Sequence, residues 1–144
     1  MNKISVLFVC LGNICRSPAA EAIFISLLEK KQLTDGFIVD SAGTGSWHIG
    51  KKADTRMRIA AERRDINILS RARQITIEDF NEFNYILAMD DSNFKNIQDL
   101  KNKKPSTDLQ QLKKYKISDQ FLMSKKFLTH ILEVMRASIM SVIF

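Results

Sequence analysis

The chain has 144 residues, of which 45% are hydrophobic and 26% are charged, and its formal net charge is +6. This length and composition predict a single globular domain, residues 1–144, with a core of ordinary size, and they exclude a disordered chain. No apolar run approaches the roughly 18–20 residues of a membrane span, and the first nine residues are too short and strand-like for a signal peptide, so a cytoplasmic protein without a membrane partner is expected.

The positive charge attracts anions in general. Much of it lies in a lysine-rich stretch after residue 100. No aromatic-rich basic platform accompanies this charge, so nucleic acid is not an expected partner.

The first predicted element is a strand over Ile4–Val9, because this run is almost entirely apolar and β-branched or aromatic, as in a strand buried on both faces of a parallel sheet. A loop follows from Cys10 to Arg16. Ser17 is predicted to be the N-cap of the next helix, and Pro18 its first residue, where a missing N–H costs nothing. The loop therefore joins the end of a strand to the start of a helix.

The residue types in this loop fit an oxyanion site. Backbone N–H groups and the helix dipole point at one spot, and Gly12 and Asn13 tolerate the positive φ values of a tight anion nest. The fork of Arg16 can hold two phosphate oxygens. The same field favours the thiolate of Cys10, and the Ser17 hydroxyl can hydrogen-bond to it. The pattern indicates catalysis through a covalent phosphocysteine.

An apolar stripe predicts the first helix from Pro18 to about Lys31, and a short strand, Phe37–Ser41, follows. This strand should lie parallel to the first, since a crossover helix joins them. The glycine-rich segment Ala42–Ala53 is predicted to be a loop at the ligand crevice. There Trp47 either forms a wall of the pocket or pins the loop.

The middle of the chain predicts two helices and a strand. The segment Asp54–Arg64 is predicted to be helical, and a short helical piece begins at Ile77. A buried strand, Tyr85–Met89, follows. Asp90 comes directly after it and is suitable as the N-cap of a helix over 91–100.

The last third of the chain leaves the fourth strand open between Leu109–Tyr115 and Phe121–Phe127. A strong helical stripe over Lys125–Val142 predicts a closing helix. The predicted fold class is α/β, a three-layer αβα sandwich with a four-stranded parallel sheet and the nucleophile loop between its first strand and first helix.

The run from Cys10 to Pro18, Cys-Leu-Gly-Asn-Ile-Cys-Arg-Ser-Pro, resembles the signature of the low-molecular-weight protein tyrosine phosphatases. The resemblance continues through residues 19–22, 40–44, 47, 72–75 and 85–90 and fades after residue 100. It implies hydrolysis of phosphotyrosine or aryl phosphate monoesters through Cys10, with no metal or other cofactor. The implied site also contains Arg16 as a catalytic residue and, for substrate binding, Leu11, Gly12, Asn13, Ile14, Cys15, Ser17, Trp47 and Asp90.

The proton donor is the open point of this resemblance. The family supplies it from an Asp-Pro dipeptide late in the chain, but the prolines here are Pro18 and Pro105 and neither follows an aspartate. Asp119 is the best substitute, with Phe121 in place of the family's tyrosine. A second alignment places Glu133-Val134 where the acid loop should begin, and the chain then lacks the acid. General acid–base assistance is worth roughly 10²–10⁴ in rate, so such a chain would be a slow enzyme that still binds phosphate.

Three other polar positions carry expectations. The resemblance implies that Asp90 orients the arginine-bearing loop. Cys15 is either a small buried residue or the thiol that forms a reversible disulfide with an oxidised Cys10. Ser70 stands in the stretch where many family members have a histidine that hydrogen-bonds near Ser17.

Competing functions differ in the residues they need. Arsenate reductases of this fold relay a disulfide to further cysteines, and this chain has none beyond Cys15. Protein-arginine phosphatases usually carry a threonine at the position of Ile14, so Ile14 favours an aromatic substrate. A catalytically impaired phosphate-binding module remains as an alternative. The expected partner is a phosphotyrosine protein or a small aryl phosphate, and the expected state is a monomer or weak homodimer.

Overall fold

A four-stranded parallel sheet forms the centre of the protein. The structure, a computed structural model, describes residues 3–103 and 112–114. The strands are β1 (Ile4–Cys10), β2 (Phe37–Gly43), β3 (Tyr85–Ala88) and β4 (Leu112–Lys114), and their order in the sheet is β2-β1-β3-β4. All three strand pairs are parallel, as the sequence predicts. The fourth strand lies within the first of its two predicted ranges, 109–115.

The helices connect these strands. They are α1 (Arg16–Lys30), α2 (Thr55–Glu62), α3 (Asp79–Glu82) and α4 (Asp91–Asn102), and a 3₁₀ turn, Thr34–Gly36, precedes β2. Among the residues that the structure describes, no helix has the length and apolarity to cross a membrane. The predicted closing helix over 125–142 lies outside those residues.

Strand β1 is buried on both faces, as its continuous apolar run predicts. Val6 and Phe8 face one core cluster together with Ile23 and Phe24 of α1. Leu7 and Val9 face the other, whose further members include Phe80, Ile86 and Ile97. Packing on both faces fixes the carboxyl end of β1, from which the Cys10 loop leaves the sheet.

The start of α1 differs from the prediction. Cys15 is the N-cap and Arg16 the first helical residue, so the N-cap prediction for Ser17 is wrong. A serine before a proline has the pattern of a cap, but here the hydroxyl lies inside the first turn and faces Cys10. Pro18 still costs no hydrogen bond, since the first N–H groups of a helix have no intrahelical acceptor.

Candidate active site

Cys10 lies at the floor of the loop between β1 and α1, where its side chain is buried. Its sulfur accepts a hydrogen bond from the backbone N–H of Asn13 at 3.2 Å and lies 3.0 Å from the hydroxyl oxygen of Ser17. Asn13 has φ = 55°, which curls the loop back over the sulfur, as the expected anion nest requires. Two donors thus converge on the atom that must carry negative charge as a thiolate.

The side chain of Asn13 holds this arrangement in place. Its Nδ2 donates to the Ser17 oxygen at 2.8 Å, and its Oδ1 accepts from the backbone N–H of Arg73 at 3.0 Å. Because Ser17 accepts from Asn13, its own proton is free to point at Cys10 or at the carbonyl of Ala42, which is 3.4 Å away. The shorter contact, that to sulfur, is the better geometry for a donor to a thiolate.

Arg16 and Asp90 come together across the carboxyl edge of the sheet. Nη2 of Arg16 lies 2.8 Å from Oδ2 of Asp90. The Arg16 side chain is 26% exposed and the Asp90 side chain is 30% exposed. The other oxygen of Asp90 accepts from the N–H of Asn93 at 2.7 Å and caps α4. Asp90 therefore pairs with Arg16 through one oxygen and caps α4 through the other.

Gly43 supports the loop from the neighbouring strand. A Cβ at this position would lie 2.8 Å from the carbonyl oxygen of Leu11 and 3.1 Å from the nitrogen of Asn13, so only glycine allows this approach. The next residues hold the loop by hydrogen bonds, from Thr44 N–H to the Cys10 carbonyl and from Gly45 N–H to that of Leu11. This role of Gly43 was not predicted from the sequence, although a glycine at the end of a strand is a signal of such close backbone contact.

Arg73 lies behind the Cys10 loop and connects it to two carboxylates. It forms a two-point ion pair with Asp79, at 3.0 and 3.1 Å, and a further bond from Nε to Asp40 at 3.0 Å. Burial lowers the pKa of Arg73, but the hydrogen bonds and charges of Asp79 and Asp40 outweigh burial and raise it. A permanently charged, fixed guanidinium therefore positions the backbone N–H that holds Asn13. This role of Arg73 was not predicted from the sequence, where residues 72–75 carry only a resemblance to the family.

The mouth of the site has both apolar and polar walls, and the polar ones include Asp99 and Lys103. Trp47 is 67% exposed and Leu11 is 48% exposed. Together with Ile75 and Leu100 they border a cavity of about 360 Å³ between the loop and α4. The ring of Trp47 lies so close to Gly45 that an added Cβ there would overlap it, so Trp47 contacts its own loop as well as bordering the cavity.

Gly12, Ile14 and Cys15 complete the loop. Gly12 packs against the ring of His48, and the carbonyl of Ile14 accepts from the N–H of Asp54 at 2.6 Å. Cys15 is half-buried. Asp119 and Phe121 lie outside the described residues.

Ser70 does not lie where its histidine counterpart was expected to act. Its hydroxyl lies near the buried carboxyl of Glu21 and lowers the pKa of that group, and the same carboxyl accepts from Ser41 at 3.3 Å. The hydroxyl of Ser17 instead has its partners within the loop, Cys10 and Asn13.

The parallel sheet and its loop define an α/β protein with a cysteine and an arginine around one anion nest. The chain belongs to the low molecular weight phosphotyrosine protein phosphatase family, whose sequence profile matches residues 5–130. A family member from Schizosaccharomyces pombe is 48% identical over 100 residues, which are 69% of this chain and 64% of that protein. The chain spans about three-fifths of the length of the curated phosphatases it matches, for example 59% of the Sus scrofa protein.

Solved structures match over nearly the whole chain. YfkJ from Bacillus subtilis is 34% identical, with a TM-score of 0.81, and the match covers 98% of this chain and 97% of that one. A protein tyrosine phosphatase from Entamoeba histolytica, with Hepes in its active site, is 32% identical with a TM-score of 0.79, and the match covers 94% and 99%.

Proposed function

We propose that the protein hydrolyses phosphotyrosine in proteins, or aryl phosphate monoesters, through a phosphocysteine on Cys10. The observation that carries the proposal is the convergence of the Asn13 N–H and the Ser17 hydroxyl on the Cys10 sulfur. A buried thiol without such donors would be an inert packing residue, whereas these donors stabilise a thiolate. The family membership of the chain supports the same activity.

In the first step the thiolate attacks phosphorus and the P–O bond to the aryl group breaks. The loop N–H groups and Arg16 bind the equatorial oxygens, on which the charge of the transition state lies. Asp90 holds the Arg16 fork by one of its terminal nitrogens, so the guanidinium enters the reaction already oriented.

The departing aryl oxide takes a proton from a general acid, for which Asp119 is the candidate. In the second step water attacks the phosphorus of the phosphocysteine, and the same carboxylate accepts a proton from that water. The S–P bond breaks, phosphate departs, and Cys10 is again a thiolate. The Ser17 hydroxyl can donate to the sulfur as the S–P bond breaks. This cycle needs no redox partner and returns the enzyme to its starting state.

The side chains at the mouth favour an aromatic leaving group. Ile14 and the exposed ring of Trp47 offer apolar surface next to the loop, on which a tyrosine ring can pack. An alkyl phosphate would leave this surface unused.

The test is steady-state hydrolysis of p-nitrophenyl phosphate, without added metal, by the wild type, Cys10→Ser and Asp119→Asn. We expect no turnover in Cys10→Ser and a loss of about a hundredfold or more in Asp119→Asn. A phosphorylated protein trapped by rapid acid quench should be found in Asp119→Asn and be absent in Cys10→Ser.

Two other outcomes have distinct meanings. Wild-type activity equal to that of Cys10→Ser would refute the phosphatase proposal and leave a phosphate-binding module. Activity that is indifferent to Asp119 would mean that another group supplies the proton or that none does.

A further inference from the structure

The segment from His48 to Asp54 runs along the outside of the Cys10 loop. At one end the ring of His48 lies against Gly12, so closely that a Cβ there would be 2.9 Å from its Cδ2. At the other end the N–H of Asp54 donates to the carbonyl of Ile14 at 2.6 Å. The residues between these two contacts therefore lie beside the Cys10 loop, on the side of Gly12 and Ile14.

This segment is paired with a second one that also carries positive charge. Lys52 and Arg71 form an antiparallel bridge, and Ala72 N–H donates to the Lys51 carbonyl at 2.9 Å. The Arg71 guanidinium donates to the carbonyl of Gly50 at 3.0 Å, which holds it beside the same ribbon. The pairing places Lys51, Lys52 and Arg71 together on a ribbon whose backbone is fixed.

We call Lys51, Lys52, Arg56 and Arg71 the basic rim. All four are exposed. The carboxylate within this part of the surface, Asp54, caps α2 and pairs with Arg56 at 3.3 Å. Lys51, Lys52 and Arg71 form no ion pair with any residue in the described part of the chain. The rim thus presents uncompensated positive charge beside the loop.

We infer that the basic rim selects phosphotyrosine segments with aspartate or glutamate close to the phosphotyrosine, so that an acidic peptide is the preferred substrate. This inference rests on the proposed function. When a phosphotyrosine of a protein substrate is bound at Cys10, the residues before and after it must run outward across the surface around the loop. Extended chain advances about 3.3 Å per residue. Neighbouring residues of the substrate then lie within reach of the lysine and arginine side chains, and Arg71 can hold a carboxylate by two points.

The expected effect is moderate, because each pair is solvent-exposed. Single exposed ion pairs change an equilibrium by up to about fivefold, so two or three together give about tenfold. The preference should weaken with salt, since the Debye length falls from about 10 Å at 0.1 M to about 3 Å at 1 M.

The experiment compares two phosphotyrosine peptides of equal length, one with aspartate and glutamate on both sides of the phosphotyrosine and one with lysine. For the wild type we expect kcat/KM to be about tenfold or more higher for the acidic peptide at low salt. In the double variant Lys51→Glu, Lys52→Glu this ratio should fall to about one or invert. The matched control is Lys30→Glu, Lys31→Glu, which makes the same charge change at the far end of α1 and should keep the ratio.

A ratio of one in the wild type, or an unchanged ratio after Lys51→Glu and Lys52→Glu, would overturn the inference. Hydrolysis of p-nitrophenyl phosphate separates this failure from failure of the proposed function, because that substrate has no flanking residues. If turnover is absent altogether, dissociation constants of the same two peptides for Cys10→Ser, with and without the Lys51 and Lys52 changes, give the ratio directly. Equal affinity for the two peptides would then reject the basic rim as a binding surface.

Discussion

Asn13 is the residue on which the geometry of the loop depends most. It combines a left-handed backbone conformation, φ = 55°, with two side-chain hydrogen bonds, to Ser17 and from Arg73. Asparagine tolerates this conformation better than most residues, and its side-chain amide supplies both a donor and an acceptor.

Two substitutions of Asn13 separate these contributions. Asn13→Gly loses the side-chain hydrogen bonds, but glycine adopts the left-handed conformation without strain. We expect the free energy of unfolding to fall by about 2 kcal/mol. Asn13→Ala loses the same bonds and adds the cost of a left-handed alanine, a further 1 kcal/mol or so. Urea denaturation of both variants measures the difference. Equal stabilities would show that the backbone conformation carries no cost.

Asp90 offers a similar separation of two roles. Asp90→Asn keeps an oxygen that can accept from the N–H of Asn93, but it removes the charge that holds Arg16. We expect kcat/KM for p-nitrophenyl phosphate to fall about tenfold or more, while the free energy of unfolding changes by about 1 kcal/mol or less.

Asp90→Ala is the matched comparison, because it loses the helix cap as well. It should be less stable than Asp90→Asn by about 1 kcal/mol, with a similar loss of activity. If Asp90→Asn hydrolysed the substrate as fast as the wild type, the ion pair would have no part in orienting Arg16.

At the scale of elements, the contact between β2 and the loop explains why the loop has one shape. Gly43 ends β2 beside β1, and the loop backbone packs directly on it. Gly43→Ala should push the loop away from the strand, at a cost of about 1–3 kcal/mol in stability and with a clear loss of kcat. Gly36→Ala is the control, because a Cβ there meets nothing within 4 Å. Differential scanning calorimetry and the same hydrolysis assay measure both, and a harmless Gly43→Ala would mean that the loop tolerates displacement.

The elements could be predicted from the sequence wherever one pattern dominated. The apolar run over Ile4–Val9 and the helical stripe after Pro18 gave β1 and α1 within one or two residues at each end. The predicted start of α1 was wrong because Ser17, which precedes a proline, has the pattern of an N-cap. Only the folded loop shows that its hydroxyl faces Cys10.

The support of the site could not be predicted, since it depends on distant contacts. Arg73 meets Asn13 across 60 positions of the sequence, and Asp40 meets Arg73 across 33. No local period records such pairs. The loop residues themselves were accessible to sequence reasoning, because strand, nucleophile, glycine, arginine and helix start all lie within one short run.

At the scale of the whole molecule, a polar network links α1 to the back of the site. Glu21 of α1 bonds to Ser41 of β2, and the adjacent Asp40 bonds to Arg73, whose N–H holds Asn13. Glu21 and Ser41 are buried, whereas the side chains of Asp40 and Arg73 are 39% and 32% exposed, so charge is most costly at Glu21. Glu21 is the member whose charge state is open to change near neutral pH.

Burial raises the pKa of Glu21 from 4.5 to about 7; the hydrogen bond from Ser70 lowers it, and the Asp40 carboxylate raises it. Between pH 4.5 and 7 the folded protein therefore holds a proton at Glu21 that the unfolded chain has released. Because the folded state binds more protons, the contribution of Glu21 to stability falls as pH rises through this window. The fall amounts to roughly 3 kcal/mol, at about 1.4 kcal/mol per unit of pKa.

Glu21→Gln tests this linkage, since glutamine keeps the shape of the protonated acid and cannot ionise. We expect the variant to gain roughly 3 kcal/mol in unfolding free energy relative to the wild type as pH rises from 4.5 to 8. The measurement is urea denaturation of both proteins across this range. Glu29→Gln removes an exposed carboxyl from the same helix and should show a much smaller change. A wild-type-minus-variant difference that stays constant with pH would mean that the pKa of Glu21 is the same in the folded and unfolded protein, and that the effects of Ser41 and Ser70 offset burial.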